Sequence, residues 1–147
     1  MNTFIKNLIS SKSGLDTLSL RIAAGIIFTA HGAQKLFGWF GGYGLEGTAG
    51  WMASIGLEPG FVLAFMAGSA EFFGGLFLIL GFLVRPSAVV LAITMIVAIV
   101  SVHLEHGLFM SNNGYEFALA LLAISVALVF RGAGSFSLDR KIQTKIS

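Results

Sequence analysis

Apolar residues fill four long stretches of the chain, at 18–37, 61–84, 86–103 and 113–130, and polar residues collect between them. A helix needs about 20 predominantly apolar residues to cross a hydrocarbon core of about 30 Å, so each stretch predicts a membrane span. The clearest is 61–84, which carries one ionisable side chain, Glu71, near its middle. Ala67 and Gly68 precede it by four and three residues, and Gly74 and Gly75 follow by three and four, so all share one helix face. Small residues let helices approach closely in lipid. A carboxylate at mid-depth costs about 2.5–3.5 kcal/mol on insertion scales. The pattern therefore predicts Glu71 turned into a bundle, with partners from the other helices.

The first stretch contains charge wherever its ends are drawn, because Arg21 and the His31–Lys35 pair leave too short an apolar run between them. Arg21, Gly25, Phe28, Gly32 and Lys35 follow helical spacing, and His31 falls on the same side. A cleaved signal peptide is disfavoured, because an h-region stops at about 7–15 residues and this pattern runs on through Phe37. Arg85-Pro86 marks a tight reversal, with Pro86 suited to the first turn of the third span. That span ends at His103, Glu105 and His106, and Asn112-Asn113-Gly114 reads as a turn before the fourth. Counting back about 20 residues from Phe130 places Glu116 inside the fourth span, with Ala120, Ala123 and Ala127 on its face. Residues 38–60 read as a Gly-rich loop holding both Trp, with a short amphipathic turn over 48–55. At the N-terminus, Phe4, Ile5, Leu8 and Ile9 recur at helical spacing, as in a helix lying at an interface.

With four spans, Lys6, Lys12, Arg21, Arg85, Arg131, Arg140, Lys141 and Lys145 fall on one side, and of the 9 basic residues only Lys35 falls on the other. The positive-inside rule then puts both termini in the cytoplasm. The expected fold is an all-α, multi-pass four-helix bundle in a single domain. Composition agrees, with 56% hydrophobic and 11% charged residues, against about 25% charged in soluble domains. A net charge of +2 gives nucleic acid no basic surface. The absence of Cys removes disulfides, thiolate metal sites and Cys nucleophiles.

Depth organises the candidate chemistry. His31, Lys35, His103 and Glu116 belong to the outer half, Glu71 lies near the middle, and Arg21 lies on the cytoplasmic side, able to reach up toward Glu71. Together these six predict a polar intramembrane pocket open to the outer side, since ionisable groups within spans are functional candidates. No catalytic residue is identified. The spacing of His103, Glu105 and His106 matches no metal motif, no phosphate loop or Ser-His-Asp pattern occurs, and His31 with His103 is a weak haem pair.

The order of these elements resembles the DoxX family. The similarity rests on Arg21-Ile-Ala-Ala-Gly25-Ile-Ile-Phe28, on His31-Gly32-Ala-Gln34-Lys35-Leu-Phe-Gly38, and on Glu71-Phe-Phe-Gly74-Gly75 running to Gly81. It continues through Phe82-Leu-Val-Arg85-Pro86 and Asn113-Gly-Tyr115-Glu116, and covers residues 15–140. The resemblance implies a small four-helix inner-membrane protein. Some members of that family are subunits of a thiosulfate:quinone oxidoreductase, and others associate with redox-stress enzymes. It therefore points to an accessory or quinone-facing subunit of a membrane redox system rather than an enzyme acting alone, with quinone as the cofactor class. The implied partners are lipid, a membrane or peripheral oxidoreductase, and a second copy of the chain. The alternative is a non-catalytic anchor or a small-molecule carrier.

Overall fold

A computed structural model of the chain describes residues 3–10 and 14–146. Lys12, counted above among the cytoplasmic cations, lies outside them. The described residues form helices and turns without a strand: α1 (Thr3–Leu8), α2 (Leu18–Phe37), α3 (Gly44–Ser54), α4 (Gly60–Leu80), α5 (Val84–Ala98), α6 (Glu116–Arg131) and α7 (Leu138–Ile146). A π-helical turn, Ile99–His103, prolongs α5. Helix α4 packs on α2, α3 and α5, and α5 packs on α6.

Two segments, Gly60–Leu80 and Val84–His106, are long and apolar enough to cross a membrane by length and composition. Helix α2 is diluted by Arg21 and Lys35, and α6 is only 16 residues long. The outward faces of α4 and α5 expose Phe61, Phe65, Phe73, Ile93 and Ile96. Their inward faces bury Leu78, Val84, Leu91 and Met95 with Phe28 of α2 and Leu128 of α6.

The helix boundaries have local causes. The apolar run over 61–84 does not stay one helix, because Gly81 takes a left-handed φ of 66°. The Gly81 N–H donates to Leu78 O (3.2 Å) and the Phe82 N–H to Phe77 O (2.9 Å), a Schellman closure that only a residue without Cβ adopts cheaply. The reversal thus spans residues 81–83, and Arg85-Pro86 sits within the first turn of α5 instead of marking it. Residues 44–54, expected as part of a Gly-rich loop, form α3, because Thr48 and Met52 are buried in packing against α4 and α2. Tertiary contact here overrides the poor helix propensity of glycine.

Helices α2 and α4 cross at close range. A Cβ on Gly32 would collide with the backbone of Phe72, and one on Gly75 would meet Thr29 at 2.5 Å. Glu71 and its small neighbours Gly68, Gly74 and Gly75 all lie on the buried face of α4, as their spacing predicts.

One end of the molecule is closed by charged side chains that bind backbone. The fully buried Arg21 donates to Leu78 O (3.1 Å), Phe136 O (3.1 Å) and Ser135 O (3.3 Å). Arg85 donates to Ser10 O, Val129 O and Phe130 O at 2.9–3.1 Å, satisfying carbonyls at the end of α6. Asp139 of α7 accepts the N–H groups of Leu83 (2.8 Å) and Val84 (3.0 Å), capping α5 from a remote part of the chain. Burial pushes the Asp139 carboxyl above its ordinary value, while those two N–H groups and Arg21 pull it back. Arg131 pairs with Asp16 on the surface at the same end.

Candidate functional site

At the opposite end of α2, the i, i+4 pair His31 and Lys35 projects toward α4 and α6. The glycine-mediated crossing sets Lys35 against Glu71. The Lys35 Nζ donates to Glu71 Oε2 at 2.6 Å. Glu71 is only 4% exposed, and the Lys35 side chain keeps 24%. Thr48 of α3 donates to the Lys35 backbone carbonyl (3.4 Å) and so holds the α2 turn from its far side.

Around this pair lies a cavity of about 250 Å³. Phe28, Met95, Ala98, Phe117 and Leu121 supply its apolar wall; His31, Lys35, Glu71 and His103 supply its ionisable groups. His31 is exposed to the cavity, with its ring 6.1 Å from that of Phe117. His103 reaches the site from the π-helical turn. Its Nδ1 lies 2.8 Å from the carbonyl oxygen of Asn113. A carbonyl only accepts, so Nδ1 carries the proton and Nε2 is the free nitrogen of the neutral ring. With an ammonium beside a carboxylate in an apolar wall, the ammonium can stabilise a developing anion and the carboxylate can receive a proton.

Of the six residues the sequence suggests for one pocket, these four line the cavity, while Arg21 and Glu116 do not. Arg21 sits at the level of Leu78, about 10 Å along α4 from Glu71. Its guanidinium turns away, to the carbonyls that end α4 and precede α7. Glu116 opens α6 and bends back to accept the Met110 N–H (2.7 Å), fixing the loop instead of entering the cavity. The inner face of α6 carries Ala118, Leu121, Ser125 and Leu128, so the face shared by Glu116, Ala120 and Ala123 points outward. Phe28 was within reach of sequence reasoning, since it stands three residues before His31 on the same face. Met95, Met110 and Asn113 carried no such signal. Among the described residues no cluster of His, Asp and Glu could hold a metal ion.

A family model described as DoxX matches residues 17–104, which include α2, α4, α5 and His103. The chain is 37% identical over 125 residues to a Bacillus subtilis protein named "Putative oxidoreductase CatD", covering 85% of each chain. It is 32% identical over 133 residues to an uncharacterised Haemophilus influenzae protein, covering 89% of this chain and 85% of that one. A Mycobacterium tuberculosis protein named "Uncharacterized membrane protein Rv3486" is 28% identical over 138 residues, covering 87% and 82%. No solved structure matches significantly.

Proposed function

Because the chain belongs to the DoxX family, we propose that it is a multi-pass inner-membrane protein that serves as the quinone-facing subunit of a membrane redox system. In this reading α2, α4, α5 and α6 cross the bilayer as a four-helix bundle. The end closed by Arg21, Arg85, Arg131 and α7 faces the cytoplasm with both termini, and Lys35 faces outward. The exposed Phe and Ile residues on α4 and α5 then meet acyl chains rather than water.

The observation that carries the reading is the buried Lys35–Glu71 pair set in an apolar cavity. Intramembrane ion pairs mark ligand and proton routes more often than packing needs. The cavity, about 250 Å³, is smaller than the roughly 300–1,000 Å³ of drug-sized sites, which suits one flat ring rather than a macrocycle. Quinone and quinol interconvert with protons as well as electrons. Glu71 and His31 are placed to exchange the protons, and Lys35 to stabilise an anionic ring oxygen. The electrons pass to or from a partner oxidoreductase; the name of the Bacillus relative points to the same class of chemistry.

A photoreactive quinone analogue tests this directly on the purified protein in lipid nanodiscs. The expected result is crosslinks on residues 95–98 or 117–121, suppressed by excess unlabelled quinone and by Leu121→Trp. Crosslinks spread over the lipid-facing residues of α4 and α5, indifferent to competitor, would refute it.

A further inference from the structure

Phe136 stands in the left-handed region, with a φ of 54°, where a bulky residue is strained. Just before it, Gly132 (φ 77°) and Gly134 (φ 71°) meet the same demand without a side chain. At 136 the chain carries a ring instead, 77% exposed and with no aromatic neighbour among the described residues. Phe40 shares this backbone conformation but has Trp39 edge-on, with ring centroids 6.4 Å apart. The strained segment is held from inside. Buried Arg21 donates to Ser135 O and Phe136 O. The Asp139 N–H donates to Gly81 O (2.9 Å), and its carboxylate caps α5. The start of α7 is thereby fastened to the turn between Gly60–Leu80 and Val84–His106, the two segments long and apolar enough to cross a membrane. A helix tied to such a turn lies at the level of the lipid headgroups.

The exposed surface continues from Phe136 along α7. Leu138, Lys141 and Lys145 follow one another by three and four residues, so they share a face. All three are exposed, and neither lysine has an acidic partner among the described residues. The acidic groups at this end are already occupied, Asp16 by Arg131 and Asp139 by the N–H groups of Leu83 and Val84. An apolar ring followed by unpaired cations is complementary to acyl chains edged by anionic phosphates. We propose that Phe136 and the face of α7 that carries Leu138, Lys141 and Lys145 form a binding site for an anionic phospholipid of the adjoining leaflet. The ring sinks among the first methylenes of the chains, and the two lysines meet the phosphate. The site stands on the membrane topology proposed above and is independent of a quinone. It gives the strain at Phe136 a use, since a glycine there would relax the backbone and lose the anchor.

The chain has no Cys, so Thr144→Cys, exposed on α7, carries a single environment-sensitive fluorophore. The full-length protein in neutral detergent is titrated with short-chain phosphatidylglycerol, with phosphatidylcholine of the same chains, and with glycerol phosphate. A saturable blue shift with phosphatidylglycerol alone is expected. Lys141→Gln and Lys145→Gln should each weaken it about fivefold, the factor for one lysine at an anionic surface. Phe136→Gly relieves the backbone, so thermal unfolding should hold or move upward while phosphatidylglycerol binding weakens at least as much as with either lysine variant. Equal responses to the two phospholipids, an equal response to glycerol phosphate, or binding indifferent to the lysines or to Phe136 overturns the proposal. Sidedness is read on the same cysteine with an impermeant maleimide in spheroplasts and inverted vesicles. Reaction from outside, with the titration intact, would overturn the cytoplasmic topology and support the lipid site.

Discussion

Removing Lys35 should cost more than any surface charge in the chain. At 2.6 Å and an effective dielectric of about 20, the attraction between Lys35 and Glu71 is about 6 kcal/mol. Desolvating the two ions offsets several kcal/mol of that. Lys35→Met leaves Glu71, 4% exposed, with an uncompensated charge or a forced proton. The penalty for breaking a buried pair is about 3–5 kcal/mol, and the low end applies because Lys35 keeps 24% of its side-chain exposure. Replacing both partners, as Lys35→Met with Glu71→Leu, should recover most of the loss, since a packed apolar pair is often as stable as a buried ionic one. The assay is a double-mutant cycle by denaturant titration in mixed micelles, followed by Trp fluorescence. A coupling energy of about 2 kcal/mol or more is expected. Single substitutions costing under about 0.5 kcal/mol with no coupling would be the behaviour of a surface pair, and would refute the view that this contact is desolvated.

Other substitutions probe the scaffold. Arg21→Met takes the guanidinium donor from the Ser135 and Phe136 carbonyls at about 1–3 kcal/mol each, while Leu78 O keeps the Gly81 N–H, so the protein should lose the docking of residues 132–146, read as new protease sensitivity in that segment; undiminished resistance would contradict the clasp. Asp139→Ala removes the acceptor for Leu83 and Val84 and should cost about 1–2 kcal/mol, with faster hydrogen exchange at those two amides. Gly32→Ala drives a Cβ into the Phe72 backbone and should cost about 1–3 kcal/mol. Gly50→Ala in α3 meets nothing within 4 Å and should stabilise by about 0.5–1 kcal/mol, so equal effects at the two glycines would undo the close-approach argument.

The inward face of α4 was legible because a lone carboxylate among glycines at helical spacing admits few other readings. Which cation meets it was not. Arg21 and Lys35 share a face of α2, and only the crossing point at Gly32 and Phe72 brings Lys35, not Arg21, level with Glu71. Glu116 misled for a related reason. Alanine spacing points its face inward, but the buried stripe of α6 runs through Ala118, Leu121 and Ser125, and the carboxylate is spent on the Met110 N–H. Asp139 gave no signal at all, since a polar tail does not announce that one of its carboxylates will cap a helix begun 55 residues earlier.

The central claim is that the Lys35–Glu71 pair does proton work for a bound quinone. The most direct measurement is quinone-coupled electron transfer by the natively purified complex, comparing the wild-type chain with Glu71→Gln, which keeps the shape and removes the proton site. The account predicts a loss of at least about tenfold, within the roughly 10²–10⁴-fold that a positioned acid or base contributes, with the partner still bound. Full activity in the Glu71→Gln complex would contradict it.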